Sequence, residues 1–268
     1  MKTSSFVVLL CASAAIASVA SAQLTLSPSG YFQNFNQLGS GLPDGWSVHT
    51  GATATGFGTE AVFTSDATSW SNTSSIFRNI ASFEGSSTSD NNTTQSNRSD
   101  RALGWRPIGV TASDTSARNG AVMLQLTNTL GFRDFELKVT LFTANNVGTT
   151  DQNYSLEYRV GDVGEFHSVG AYMTTNPFGD FEMTANAATL AALNDQIEAV
   201  YIRIRGTSTT GTGSLDTLGI DNFSLTYSPA ASAIPEPSTY GAIAAGISLL
   251  GAIYYRGRSR NLPGRSTS

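Results

Sequence analysis

The chain has 268 residues, 13% of them charged and 10% aromatic, with 26 glycines and one cysteine. Of 15 Lys+Arg, five stand at Lys2, Arg256, Arg258, Arg260 and Arg265, and of 20 acids only Glu236 lies outside Gln23–Ala230, which leaves 10 cations against 19 acids in that middle region. An acidic middle repels phosphate backbones and excludes nucleic acid as an expected partner, while the charged share is about half that of an average globular domain.

The chain opens on "MKTSSFVVLLCASAAIASVASA", residues 1–22. Lys2 gives a positive start, Phe6 to Ala17 an apolar stretch, and Ala20-Ser21-Ala22 a small-residue site, which together predict a secretory signal peptide cut between Ala22 and Gln23. Cys11 lies inside the apolar stretch behind Leu10, where a lipoprotein signal needs a small residue, so no lipid anchor is expected. The mature chain then has no cysteine, hence no disulfide, thiolate metal site or cysteine nucleophile. A domain of this length can fold without bridges because its core is large enough.

From Gln23 to Ala230 the apolar residues recur with period two. "AVMLQLTNTL" sets Val122, Leu124 and Leu126 on one face, and "FELKVTLF" sets Phe135, Leu137, Val139 and Leu141 against Glu136, Lys138 and Thr140. "YSLEYRV" does the same with Tyr154, Leu156, Tyr158 and Val160, "VYIRIR" with Val200, Ile202 and Ile204, and "IDNFSLTY" with Phe223, Leu225 and Tyr227. Such alternation marks strands with one buried face, and clusters of Gly, Asn and Thr punctuate them. One weak helical stretch, around Thr189 to Gln196, interrupts the strands. The reading is one all-β domain, a two-sheet β-sandwich of jelly-roll type over 23–230. Its interior should hold Leu124, Leu126, Leu137, Val139, Leu156, Ile202, Ile204, Phe223 and Leu225. "EGSSTSDNNTTQSNRSD", Glu84 to Asp100, is polar throughout and reads as a long exposed loop.

Few residues in this region suggest chemistry. His49 and His167 each stand alone, no nucleophile elbow surrounds any serine, and no HExxH, P-loop or dinucleotide fingerprint occurs. A glycosidase needs only two carboxylates across a cleft. Glu136 and Glu157 alternate outward and would line such a face, although outward acids are ordinarily solvated. Trp46, Trp70, Trp105 and Tyr31 are the candidate rings for stacking on sugars. Trp46 is expected to plug one end of the sandwich and Trp105 to sit mid-strand, leaving Trp70 between serines as the exposed one. Asp216, Asp221 and Asn222 are oxygen donors of the kind calcium takes, without EF-hand spacing. No metal and no cofactor are expected, and no ligand-binding or catalytic residue is assigned.

The chain closes on "IPEPSTYGAIAAGISLLGAIYYRGRSR", Ile234 to Arg260. Tyr240 to Tyr255 is a 16-residue run without a charge. As a helix it covers roughly 24 Å against a hydrocarbon core of about 30 Å, a gap that snorkelling arginines or local thinning would close. It is apolar on all sides and ends in Arg256, Arg258 and Arg260, which predicts a transmembrane helix over 240–255 with a basic cytoplasmic tail over 256–268. The prolines of 231–239 keep the preceding linker extended.

Pro235-Glu236-Pro237, the short apolar span and the basic end resemble the PEP-CTERM sorting signal of Gram-negative bacteria. That resemblance implies a membrane-embedded exosortase as partner, processing near the Pro-Glu-Pro motif, and release to the cell surface or medium, often among extracellular polysaccharide. The arginines are interrupted by Gly257 and Ser259, and "NLPGRSTS" runs on past them. In the middle region "LPDGWS", "DRALGW" and "LGIDNFSLTY" are similar to secreted, lectin-like β-sandwich domains of environmental bacteria. Together these resemblances imply an exported surface or matrix protein with a non-catalytic binding or structural role near polysaccharide. The alternative is a secreted glycan hydrolase carrying the same sorting tail.

Overall fold

The period-two segments all form strands. The computed structural model describes residues 23–230 apart from 85, 88, 109–114, 146–151, 175–179 and 208–215, together with Ile247, Leu249 and Leu250. Thirteen strands follow in chain order: β1 (Tyr31–Gln33), β2 (Trp46–Thr50), β3 (Thr59–Glu60), β4 (Phe63–Thr68), β5 (Phe77–Ala81), β6 (Arg101–Trp105), β7 (Ala121–Leu126), β8 (Phe132–Asn145), β9 (Asn153–Val160), β10 (His167–Met173), β11 (Asp180–Ala185), β12 (Val200–Gly206) and β13 (Thr217–Pro229). They build a six-stranded sheet in the order β10-β9-β12-β7-β2-β3 and a seven-stranded sheet in the order β11-β8-β13-β6-β5-β4, with β1 also paired to β13. All pairings are antiparallel except β4 with β5. From β10 to β13 successive strands alternate between the sheets, so local hairpins do not account for the topology.

Register explains the core. Ile202 stands opposite Leu124 on one side and Tyr158 on the other, and Ile204 opposite Val122 and Leu156. In the second sheet Phe223 faces Val139 and Leu225 faces Leu137. The nine residues expected inside are all at most 2% exposed and belong to one apolar cluster between the sheets. Trp46 and Trp105 join it, as their positions suggested. The helical expectation near Thr189 to Gln196 reduces to one short turn of tight helix at Ala191–Leu193.

Two expectations are corrected. Glu84 to Asp100 is not all exposed loop: it contains the short helix α1 (Asn92–Ser96), capped by Asn91 Oδ1, which accepts from the Thr94 N–H at 2.9 Å. Gln95 within it is buried and accepts from the Trp70 backbone N–H at 3.0 Å, while Arg101 donates to the Gln95 carbonyl at 2.9 Å. Polar sequence is thus held by buried polar partners rather than by apolar packing. Trp70, expected to be exposed, is 3% exposed. Its indole N–H donates to the Ala81 carbonyl at 2.8 Å and its ring lies 6.1 Å from Phe142, so distant residues cover what the flanking serines leave open.

The chain divides into two compact units, 1–229 and 230–268. The expected signal segment 1–22 with Ala22, the linker with Pro235, Glu236 and Pro237, and the basic residues Arg256, Arg258 and Arg260 lie outside the described residues. Of 240–255, Ile247, Leu249 and Leu250 are described; they are helical and exposed. Among the described residues no helix is long and apolar enough to cross a membrane.

Candidate functional site

Each sheet has an outer face, and a ligand could meet the sandwich on either. The outer face of the six-stranded sheet carries Ser47 and His49 from β2, Met123 from β7, Tyr201, Arg203 and Arg205 from β12, and Glu157 and Arg159 from β9. This face is sealed. Arg203 donates to the carbonyls of Thr53 at 2.7 Å and Gly56 at 2.9 Å, and Arg159 donates to those of Thr55 at 2.7 Å and Gly161 at 3.0 Å. The loops 52–57 and 161–166 are thereby strapped across the strands. Phe166 from one loop sits 3.4 Å above the Arg203 guanidinium, and Phe57 from the other 4.3 Å from that of Arg159, so both cations are capped by ring faces.

Glu157 corrects the expectation of an outward, solvated acid. It is 3% exposed and lies between Arg203 and Arg205, 2.7 and 2.8 Å away. Burial lowers the Arg203 guanidinium to about 10, with Glu157 opposing the shift. His49 Nε2 lies 2.9 Å from Ser47 Oγ, the beginning of a nucleophile–base pair. Burial and then Arg203 hold this imidazole down to about 4, its Nδ1 has no hydrogen-bond partner among the described residues, and the two residues are 9% and 8% exposed. Without an orienting carboxylate or access, this pair is not arranged for acyl transfer. His167 stands exposed on β10, at the opposite edge of the sheet from β2.

The seven-stranded sheet is sealed over half its outer face only. Toward β5 and β6 a second apolar cluster of Trp70, Ile80, Ala102, Phe142 and Ala144 covers it. Gly219 and Gly104 make this possible: a Cβ on Gly219 would collide with the Phe142 ring, and one on Gly104 with Ile80. Fully buried Arg78 ties the cover down, donating to the Ser75 carbonyl at 2.9 Å and to Thr217 Oγ1 at 3.2 Å.

Toward β11, β8, β13 and β1 the same face is open. Register sets rows of outward residues across it: Glu182, Thr140 and Asn222 in one, Thr184, Lys138, Ser224 and Phe32 in the next. Three strand spacings make this surface about 14 Å wide. Two shallow grooves that share Lys138 run over it, about 420 and 550 Å³ in volume. Glu136, Thr184, Asn186, Ser224 and Thr226 are among the residues lining the first, and Glu84, Asp180, Phe181, Asn222 and Phe32 among those lining the second. Phe32 is 62% exposed, the most exposed aromatic ring among the described residues that line either groove. Lys138 pairs with Glu182. Burial, then Glu84 and Asp100, raise the Asp180 carboxyl. Behind the groove Asp221, 2% exposed at a bulge in β13, is raised to about 7, chiefly by burial.

Of the candidate residues, Glu136 and Asn222 do line this open face. Trp46, Trp70 and Trp105 do not; all three are buried, and half-buried Tyr31 accepts from the Trp46 indole N–H at 2.7 Å. Asp216 is buried just ahead of β13, and among the described residues no three His, Cys, Asp or Glu side chains gather to hold a metal ion. Sequence reasoning missed Phe32, Glu84, Asp180 and Glu182. For Phe32 the signal was its alternation with Tyr31 and Gln33, where the odd positions turn inward.

No family model matches the chain and no curated protein matches it. Solved structures do, at low identity. The xylan-binding domain from CBM 22 has a TM-score of 0.42 at 10% identity, covering 77% of this chain and 100% of that one. TmCBM61 in complex with beta-1,4-galactotriose has 0.39 at 11%, covering 72% and 96%. The CBM22-1 xylan-binding domain from Paenibacillus barcinonensis has 0.39 at 12%, covering 75% and 95%.

Proposed function

We propose that this chain is an exported protein whose jelly-roll-type sandwich binds a polysaccharide, without cleaving it, on the open half of the outer face of the seven-stranded sheet. The observation that carries the reading is the exposed ring of Phe32 at the rim of a shallow floor of hydroxyl, amide and charged side chains. A sugar offers an apolar C–H face for a ring and hydroxyls for such a floor. The likeness to carbohydrate-binding domains is too distant to add to this. A screen of the chain against immobilised glycans tests it: binding should occur, and Phe32→Ala should weaken it by about tenfold. No binding to any glycan, or binding indifferent to Phe32, would refute it.

The alternative, a glycan hydrolase, draws on Asp180, whose raised carboxyl shares the groove with Glu84. Shortening of bound oligosaccharides by the unmodified chain, abolished in Asp180→Asn, would favour it.

The address is a proposal of its own, resting on the sequence of the two termini. The PEP-CTERM-like tail anchors the exported chain in the inner membrane until an exosortase processes it and delivers it to the surface. Deleting 234–268 should leave an exported, unanchored protein. Replacing Leu249 and Leu250 by aspartate should abolish insertion, at about 2.5–3.5 kcal/mol per charge at a helix centre. Glu236→Ala should insert but remain unprocessed. Fractionation and blotting in an exosortase-bearing host decides: membrane retention of the truncated form refutes the anchor, and normal maturation of Glu236→Ala refutes the sorting role.

A further inference from the structure

The fate of the cations decides what kind of polysaccharide the open face would take. Of the 10 Lys+Arg between Gln23 and Ala230, Arg78, Arg101, Arg106, Arg118, Arg159 and Arg203 are at most 4% exposed. Arg205 is held by Glu157. The remaining three pair with acids: Arg98 with Asp90, Arg133 with Asp134, and Lys138 with Glu182. Every cation of the sandwich is therefore buried or ion-paired. With 19 acids against these 10 cations the field of the sandwich is negative, and no cation is left free at its surface to pair with a ligand's anionic groups.

On the open face the imbalance is local. Glu84, Glu136 and Asp180 line the grooves and have no basic partner among the described residues, and the one lysine there is engaged by Glu182. Glu84 and Asp180 share one groove and Glu136 lines the other, and among the described residues no three such side chains gather to hold a metal ion. A point cation needs converging oxygens. A polymer carrying one positive charge per repeat does not.

We infer that the open face selects a cationic, amino-sugar polysaccharide, one whose amino groups are free and protonated, over neutral and uronate polymers. The inference rests on the reading of this face as a glycan-binding surface and adds the charge of the ligand to it. Phe32 stacks on a sugar ring while Asp180 and Glu84 accept from ammonium groups along the chain. Uronates meet the same carboxylates and are repelled. A basic peptide would match the charge, but has no repeating flat C–H face to lay against Phe32.

The experiment is a titration of the full chain in mild detergent with oligomers of equal length: glucosamine, N-acetylglucosamine and galacturonate, with oligolysine as a fourth arm. At mildly acidic pH and low salt the glucosamine oligomer should bind at least about tenfold tighter than its acetylated counterpart, and the galacturonate should not bind. Raising salt to about 0.5 M should shrink that ratio, since the contacts are exposed. The double variant Glu84→Gln, Asp180→Asn should bring the ratio close to one, and Phe32→Ala should weaken both sugars. Equal or weaker binding of the glucosamine oligomer overturns the charge selection and leaves the glycan reading standing. Oligolysine binding as tightly as glucosamine, with no response to Phe32→Ala, overturns the choice of a sugar. If none of the three sugars binds, the glycan reading itself fails.

Discussion

The two outer faces of this sandwich differ in what lies on them. On the six-stranded sheet, outward residues of four neighbouring strands are covered by two strapped loops, and Arg159, Glu157 and Arg203 are as buried as core residues. On the seven-stranded sheet the cover stops at Phe142, and from β8 to β1 the outward side chains meet solvent. A sealed face costs desolvation of charges and is kept only where partners are complete. An open face of hydroxyls and unpaired carboxylates costs nothing to hydrate and is available for a ligand. The difference separates residues that hold the fold from residues that are free to act.

The strongest way to break this contrast is Glu157→Ala. It leaves Arg203 and Arg205 without their shared carboxylate in a dry setting, and should destabilise the chain by about 3–5 kcal/mol in urea unfolding. A loss under about 1 kcal/mol would mean that water reaches the strap, as at an exposed pair. Trp70→Ala probes the sealed half of the other sheet. Loss of a buried indole with its bond to the Ala81 carbonyl should destabilise by about 3–5 kcal/mol; a loss under about 1 kcal/mol would place Trp70 in solvent after all.

A third test uses pH, because the two sheets carry opposed titrations. His49 is held down to about 4 from 6.5, so between those values the unfolded chain binds a proton that the folded chain does not, and stability rises with pH. Asp221 is held up to about 7 from 3.8, so over that window the folded chain keeps a proton the unfolded chain has released, and stability falls with pH. Each slope approaches about 1 kcal/mol per pH unit, and the two largely cancel. Unfolding measured between about pH 4.5 and 6.5 should therefore fall with pH in His49→Gln and rise with pH in Asp221→Asn. Parallel slopes in the two variants would contradict the burial of one or the other. The smallest effect belongs to the open face: Phe32→Ala should change stability by no more than about 0.5 kcal/mol. A larger loss, read in the same unfolding experiment, would make Phe32 part of the packing.

How much of this was legible in the sequence follows from what alternation encodes. Period two tells which side of a strand each residue takes, so the nine interior residues and the two-sheet architecture could be read from Leu124, Val139, Ile202, Phe223 and their neighbours. It does not tell what covers the second side. Arg203 reaches the Thr53 carbonyl across 150 positions of sequence, and Thr217 reaches the Trp70 carbonyl across 147. Partners so remote in sequence are invisible to alternation, and without them Glu157 and Trp70 look exposed. A fuller signal was present in "GATATGFG" and "GDVGEFH", two glycine-rich loops that each carry a phenylalanine, beside strands whose outward positions are arginines. At the open face Glu136 was read correctly as outward, but the surrounding acids come from three separate stretches of chain and only the sheet order brings them together.

The central claim is that the open half of the seven-stranded sheet, and not the strapped sheet, meets the glycan. Hydrogen exchange of the full chain, with and without a bound oligosaccharide found in the glycan screen, tests it most directly. Protection should appear in peptides covering 31–33, 136–140, 180–186 and 222–226, which line the two grooves, and not in 52–57 or 161–166. Protection confined to those two loops would contradict it.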